Sequence, residues 1–254
     1  GVGHRCLSFD LWRRLRPGPW RTFTPALGTV PHVSDRTPDE PAPDGASGGT
    51  SGDHYFTAEP ASADERRRLD VRLAGRDVTV WTAGGIFSPG RLDLGTQVLL
   101  RTVPEPPASG DLLDLGCGWG PVALTMALES PEARVWAVDV NARALDLVRR
   151  TAADLGLANV VAARPEEVPD DVRFAALWSN PPIRVGKDVL HAMLTHWLPR
   201  LEPGAQAHLV VQRNLGADSL QRWISDTLGL PVERAASAKG FRVLRVGVSP
   251  ARPA

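Results

Sequence analysis

The chain has 254 residues, 43% hydrophobic and 23% charged, with 29 Lys plus Arg against 29 Asp plus Glu. That composition fits one large or two small globular domains and excludes a global basic field advertising nucleic acid, although a local patch can sit on a neutral protein. Cys6 and Cys117 are the only cysteines and lie far apart, which excludes a disulfide framework or CxxC metal site and favours a reducing cytoplasm with no metal. No apolar run approaches the roughly 18 residues of a membrane span, and residues 1–20 lack the apolar core of a secretory signal.

In chain order, residues 1–52 carry "RPGPW" and "TPDEPAPDGASGGTSG" with no sustained apolar period; such Pro/Gly/Ser-rich sequence is expected to be disordered. Residues 53–105 read as a hairpin and a helix packed on the domain formed by residues 106–250. "LDVRLAGRDVTVWTAGGIF" alternates apolar and polar residues around Ala74-Gly75-Arg76, a β-hairpin signature. In "SPGRLDLGTQVLLRTV", Thr96 is expected to cap a helix carrying Val98, Leu99 and Leu100.

Residues 106–250 alternate strands and helices: strand 111–116, helix "GPVALTMALES", strand 133–140, helix "NARALDLVRRTAADLGL", strand "NVVAAR", strand "VRFAALWS", a helix near 187–200, strand "AQAHLVVQ", helix "ADSLQRWISDTLG", and a terminal strand pair "VERAAS" and "FRVLRVGV". The predicted fold class is α/β, a doubly wound, seven-stranded Rossmann-like sheet with an N-terminal hairpin extension. Ligands bind such sheets at the carboxyl ends of the strands, where "LDLGCGWG", "AVDVN" and "WSNPP" all fall.

"DLGCGWGP" places Gly116, Gly118 and Gly120 between the first strand and its helix, where bare backbone can approach a ligand closely. Asp139 ends the next strand, where a carboxylate can take both hydroxyls of a ribose. Strand, turn, helix and downstream acid together indicate a nucleoside-containing cofactor. A dinucleotide site uses GxGxxG and seats a pyrophosphate on the helix N-terminus; here the spacing is GxGxG, followed by Pro121. Asp114, directly before the glycines, suits an ammonium group. S-adenosylmethionine carries that ammonium and no phosphate, so the spacing favours it over NAD.

"DLGCGWGP", "VDVN" and "SNPP", in this order, resemble the class I S-adenosylmethionine-dependent methyltransferases over about residues 54–248. The resemblance implies that Asp114, Gly116, Cys117, Gly118 and Gly120 border the methionine part of the cofactor. It also places Asp139 and Val140 at the ribose and Glu166, in "ARPEEV", near the adenine. In such enzymes an NPP corner serves methylation of a nitrogen conjugated to a ring or carbonyl, whose delocalised lone pair makes it a poor nucleophile. By that likeness Asn180, Pro181, Pro182 and Ile183 form the catalytic corner, with the Asn180 side-chain oxygen and Pro181 carbonyl accepting the amino N–H bonds and orienting the lone pair. Asn180 also borders the cofactor.

The position after NPP discriminates among substrates. Adenine-N6 and glutamine-amide enzymes usually carry an aromatic residue there, whereas this chain has Ile183. With Gly186 and the upstream "GIFSPGRLDLGT", it resembles the small-subunit ribosomal RNA guanine-N2 methyltransferases. That likeness implies Phe87 and Thr96 beside the cofactor, with Ser88, Arg91 and Asp93 at the substrate entrance. Arg184, Lys187, Arg213 and Lys239 are expected to form a phosphate-contacting rim; Lys187 and Lys239 are the only lysines of the chain. The family often has His or Phe-His after NPP, and this chain departs from it with Ile183-Arg184. Some members carry a duplicated methyltransferase-like domain that this chain is too short to include, so RNA recognition is expected from the hairpin, basic loops or partner proteins. Trp119 and Trp178 flank the glycine turn and the NPP corner and read as core aromatics. The expected function is methyl transfer to a guanine amino group in ribosomal RNA or the small subunit. A protein glutamine amide, a small-molecule amine, or a cofactor-binding assembly factor without turnover are the alternatives.

Overall fold

A computed structural model describes residues 65–247; the expectation for residues 1–52 lies outside the described residues. Strands β1 (Arg66–Leu73) and β2 (Arg76–Ala83) pair antiparallel, with Leu73 opposite Arg76. Ala74 and Gly75 between them both take positive φ, 48° and 72°, the backbone of a type I′ turn whose twist matches a two-residue hairpin. The inner face of the hairpin, Leu73, Val80 and Ala83, packs with Ile86 against Trp119, Leu124, Ala144 and Leu147 of the larger domain.

Helix α1 (Leu94–Thr102) comes next. Its cap is Asp93, not Thr96 as expected. Asp93 holds extended backbone (φ −59°, ψ 146°) and its carboxylate accepts the Thr96 N–H, whereas Thr96 lies inside the first turn and is buried. Asp and Thr are both good capping residues, and spacing alone did not separate them.

The remaining elements are β3 (Asp111–Leu115), α2 (Pro121–Glu129), β4 (Arg134–Val138), α3 (Ala142–Asp154), β5 (Val160–Ala163), β6 (Phe174–Ser179), α4 (Lys187–Trp197), β7 (Leu201–Gln212), α5 (Ala217–Leu228), β8 (Val232–Ala238) and β9 (Phe241–Gly247). Seven of these strands form one sheet in the order β5-β4-β3-β6-β7-β9-β8. Strands β3 to β7 run parallel, and β9 runs antiparallel to both β7 and β8. The fold is therefore the expected Rossmann-like methyltransferase sheet with a hairpin at its N-terminal side.

Two expected boundaries move. Helix α4 ends at Trp197, because Pro199 occupies a single 3-10 turn, Leu198–Arg200, and proline lacks the N–H that a continuing helix needs. Strand β7 begins at Leu201 instead of Ala205 and absorbs Pro203-Gly204, with Gly204 at φ 84°. The β6–β7 register shifts between Phe174 and Ala176 beside it, as expected where Pro and Gly enter a strand at an irregularity.

Both faces of the sheet are covered. Leu113, Leu115, Val138, Leu177 and Leu209 pack on α4 and α5 residues such as Leu194, Trp197, Leu220 and Ile224. Leu112, Val135, Ala137 and Val210 pack on Val98, Leu99, Val122, Met126, Leu145 and Val148 from α1, α2 and α3. Each of the Leu, Ile, Val and Met side chains among them, fully buried, is worth about 1.5–3 kcal/mol against exposure. Strand order departs in opposite directions from β3, toward β4 on one side and β6 on the other. This switch point opens a crevice at the carboxyl ends of β3 and β6. Among the described residues, no helix is long and apolar enough to cross a membrane.

Candidate active site

Strands β3 and β6 are paired neighbours, with Asp114 opposite Trp178, so the glycine turn and the NPP corner leave the sheet side by side. The Ser179 hydroxyl donates to the Leu115 carbonyl at 2.6 Å and ties the two strand ends together. A cleft opens there, lined by Phe87, Ser88, Asp93, Thr96, Asp114 and Asn180, together with the 116–119 turn and Pro121-Val122.

The floor of the cleft is backbone. Gly118 has φ 55°, and a Cβ added to it would point into open space. Gly120 has a different reason to be glycine: at φ 91° its Cβ would stand 2.8 Å from Val148 of α3, so close packing of the turn on that helix requires a bare backbone. The thiol of Cys117 is buried, and burial with the neighbouring Asp139 and Asp114 charges pushes its pKa well above the ordinary range. It is a neutral group there and not a nucleophile.

Two carboxylates flank the turn. Asp114 is 1% exposed, and its Oδ2 accepts the Ala123 N–H of α2 at 2.9 Å. Burial, opposed by that hydrogen bond and reinforced by the Asp139 charge, raises its pKa to about 8. Asp139 Oδ2 accepts from Gly118 N at 2.9 Å and Oδ1 from Asn141 N at 2.9 Å. Burial raises its pKa also, and these backbone donors oppose the rise. Burial disfavours the charged form of both acids, so this turn gains from a ligand with a cationic end and hydroxyls, which pairs the charge that burial penalises.

The hairpin exit closes the cleft from above. Trp119 Nε1 donates to the Ser88 carbonyl at 3.3 Å, Asn141 Nδ2 to the Gly85 carbonyl at 3.4 Å, and Arg143 Nη1 to the Gly84 carbonyl at 3.1 Å. Ser88 adopts φ 48° and its hydroxyl donates to the Arg91 carbonyl at 2.7 Å, so that hydroxyl serves its own loop. Phe87 is 42% exposed at the mouth.

At the NPP corner, Asn180 Nδ2 donates to Asp93 Oδ2 at 2.9 Å and to Thr96 Oγ1 at 3.0 Å. Pro182 lies at φ −74°, ψ 75°, the geometry of an inverse γ-turn. Accordingly the Pro181 carbonyl accepts the Ile183 N–H at 2.8 Å, which leaves one of its lone pairs uncommitted.

The structure thus gathers Phe87, Ser88, Asp93, Thr96, Asp114, Gly116, Cys117, Gly118 and Asn180 around one cleft, with Asp139 behind the turn. It does not bring every expected residue there. Ile183 packs against the core on the α4 side, Val140 is exposed, and Glu166 is exposed on the 3-10 turn Pro165–Glu167. Arg91, Arg184, Lys187, Arg213 and Lys239 are exposed around the carboxyl side of the sheet. Trp178 and Trp119 are buried, at 1% and 2%; Trp119 also lines the cleft, as do Pro121 and Val122. The sequence reading missed Asn141 and Arg143, although Asn at a strand end before a helix is a visible cap signal. Among the described residues no group of three or more His, Cys, Asp or Glu could hold a metal.

Fold and cleft define a class I S-adenosylmethionine-dependent methyltransferase. The profile of the methyltransferase small domain family matches residues 77–245, and the chain belongs to that family. It is 32% identical over 196 residues to Bacillus subtilis YbxB, an uncharacterized protein, covering 76% of this chain and 97% of that one. It is 36% identical over 173 residues to ribosomal RNA small subunit methyltransferase C of Klebsiella pneumoniae, covering 66% of this chain and 49% of that one. Among solved structures it resembles the T. thermophilus 16S rRNA N2 G1207 methyltransferase in complex with AdoMet and guanosine, with a TM-score of 0.65 and 25% identity over 74% of this chain and 52% of that chain. The chain therefore spans about half the length of the ribosomal RNA methyltransferases it matches.

Proposed function

We propose that the chain methylates the exocyclic amino group of a guanine in small-subunit ribosomal RNA. The observation that carries this reading is the position of Asn180 in the same cleft as Asp114 and the glycine turn, at the junction of β3 and β6. The likeness to the T. thermophilus enzyme, whose complex holds AdoMet and guanosine, supports guanine as the target.

S-adenosylmethionine, when bound, supplies an electrophilic methyl group on a sulfonium. The residues that would hold it are Asp114 toward the ammonium, the 116–120 backbone along the methionine part, Asp139 toward the ribose and Phe87 at the mouth. Asn180 Oδ1 and the free lone pair of the Pro181 carbonyl would accept the two N–H bonds of the guanine amino group. That turns the nitrogen lone pair toward the cofactor side of the cleft, and orientation of this kind is worth several kcal/mol. The same two acceptors stabilise the positive charge that grows on the nitrogen, and once the N–C bond has formed the now acidic N–H loses its proton to solvent water. A strong general base is then unnecessary. Arg91, Arg184, Lys187, Arg213 and Lys239 would contact RNA phosphates around the mouth.

The test is methylation of assembled small subunits and of their free RNA with labelled S-adenosylmethionine, followed by nucleoside identification. Label in N2-methylguanosine is expected, and Asn180→Ala should lower kcat about 100-fold or more. Label confined to protein, or undiminished activity of Asn180→Ala, overturns the reading.

A further inference from the structure

We infer that Asp93 and Thr96 are positioning residues that fix the Asn180 amide with its oxygen toward the cleft, and so make the site selective for N–H donors. The inference rests on the methyl-transfer reading and adds to it the device that sets the polarity of the catalytic corner.

An asparagine amide carries a donor end and an acceptor end, and rotation by half a turn exchanges them. At Asn180 the exchange is blocked. Nδ2 has two hydrogens, and they go to Asp93 Oδ2 at 2.9 Å and Thr96 Oγ1 at 3.0 Å. An ionised carboxylate only accepts, so a flipped amide would set Oδ1 against Asp93 Oδ2, oxygen on oxygen, and leave two N–H groups facing the substrate. The observed arrangement commits the nitrogen and leaves Oδ1 for the cleft. With the Pro181 carbonyl beside it, the corner offers two acceptors.

The carboxylate is itself held. Asp93 Oδ2 also accepts the Thr96 N–H at 3.1 Å as the cap of α1. Gly95 is where the fold makes room: a Cβ there would lie 2.9 Å from Asp93 Oδ2 and 2.9 Å from the ring of Phe241. The start of α1 thereby packs bare backbone against the start of β9 and holds the Asn180 amide at the end of β6. This gives a physical role to the Asp and Thr of "DLGT", a segment remote in sequence from the NPP corner. A partly buried corner that can only accept leaves its oxygens unpaired when a substrate presents an acceptor instead of an amino group, and mismatches of that kind discriminate strongly.

The experiment compares Asp93→Ser, Thr96→Val, Thr96→Ser and Asn180→Ala in the full chain, with unmodified small-subunit ribosomal RNA as substrate. Serine remains a good helix cap but can turn a hydroxyl hydrogen toward Asn180, so Asp93→Ser separates positioning from capping. We expect kcat to fall about 10- to 100-fold for Asp93→Ser and about 10-fold for Thr96→Val, with Tm lower by only a few degrees and calorimetric Kd for S-adenosylmethionine changing far less than kcat. Thr96→Ser should recover most of the kcat lost in Thr96→Val, because it restores the acceptor. If Asn180→Ala is inactive while Thr96→Val and Asp93→Ser turn over normally, the inference fails and the methyl-transfer reading stands. If Asn180→Ala is fully active, the reading itself fails. Losses of kcat that track losses of Tm and cofactor affinity overturn the positioning role. Should Asp93→Ser not fold, the Thr96 pair decides.

Discussion

Asp139 Oδ2 accepts the Gly118 N–H at 2.9 Å, so the acid that ends the β4 segment clasps the glycine turn at the end of β3. Its other oxygen holds the Asn141 N–H at 2.9 Å, at the cap of α3. The Val140 backbone N–H also stabilises this carboxylate; with about four acceptor sites on a carboxylate, capacity for a ribose hydroxyl remains. One side chain therefore shapes the glycine turn and, on the proposed function, faces the cofactor as well, which makes its replacement informative.

Asp139→Asn retains one acceptor oxygen but sets an amide N–H₂ against a backbone donor. Losing one of these bonds to a partly buried N–H costs about 1–3 kcal/mol. Affinity for S-adenosylmethionine should weaken at least tenfold, and Tm should drop by roughly 2–4 °C per kcal/mol lost for a domain of this size. Asp139→Ala, which removes both acceptors, should be worse on both counts. Isothermal titration and thermal denaturation of the same preparations check this; a variant with lower Tm but unchanged affinity would remove Asp139 from the cofactor site.

The pH dependence of stability should identify Asp114. Its folded-state pKa is raised to about 8 from 3.8, so the protonated form favours the fold. That contribution is complete below about pH 4 and is lost as pH rises toward 8, at no more than about 1.4 kcal/mol per pH unit. His208 runs the other way: burial, with Arg245 adding to it, lowers its pKa from 6.5 to about 4, so its contribution is present above 6.5 and lost as pH falls toward 4. The two oppose each other between pH 4 and 6.5 and separate above it. Without cofactor, the chain should lose stability from pH 6.5 to 8, and Asp114→Asn, which keeps an acceptor for Ala123 N, should flatten that slope and raise Tm at pH 8. The same variant should bind S-adenosylmethionine more weakly, a trade of function for stability. Denaturation at pH 6.5, 7.2 and 8 decides it; equal slopes in both proteins would refute the assignment.

The legibility of this chain divides by physical cause. Strands β3 to β6 and their helices could be read because buried parallel strands are short apolar runs and their helices are amphipathic. The three motifs could be placed together because parallel alternation puts every strand's carboxyl end on one side. Local ambiguity accounts for the misplaced cap, where Asp93 and Thr96 offer similar oxygens, and for the expected start of β7 at Ala205, four residues after its start at Leu201, since Pro203-Gly204 is sequence that seldom enters a strand interior. Other features depend on tertiary contact and leave no local mark. The turn of Ile183 into the core, the engagement of the Pro181 carbonyl by Ile183 N–H, and the capture of the Asn180 amide by residues over eighty positions away are of this kind.

The exposed cations can be tested as a group. Arg213 lies in a 3-10 turn at the end of β7, and its N–H donates to the Gly240 carbonyl at 2.8 Å, which sets it beside Lys239 in the β8–β9 turn. Arg184 and Lys187 come after the NPP corner, at the start of α4, and Arg91 precedes α1. All five therefore edge the side of the sheet where the cleft opens. Because the chain's charges balance overall, 29 against 29, little long-range attraction exists to mask the loss of a local rim. Replacing Lys187, Arg213 and Lys239 together by Ala should raise KM for ribosomal RNA substantially and leave Kd for S-adenosylmethionine unchanged. Each lost phosphate contact should reduce the slope of log affinity against log salt by about 0.7–0.9, so measuring KM between about 50 and 200 mM salt counts the contacts directly. An unchanged slope in the triple variant would mean that RNA is held elsewhere, and single replacements, each one contact among several, should shift KM only modestly.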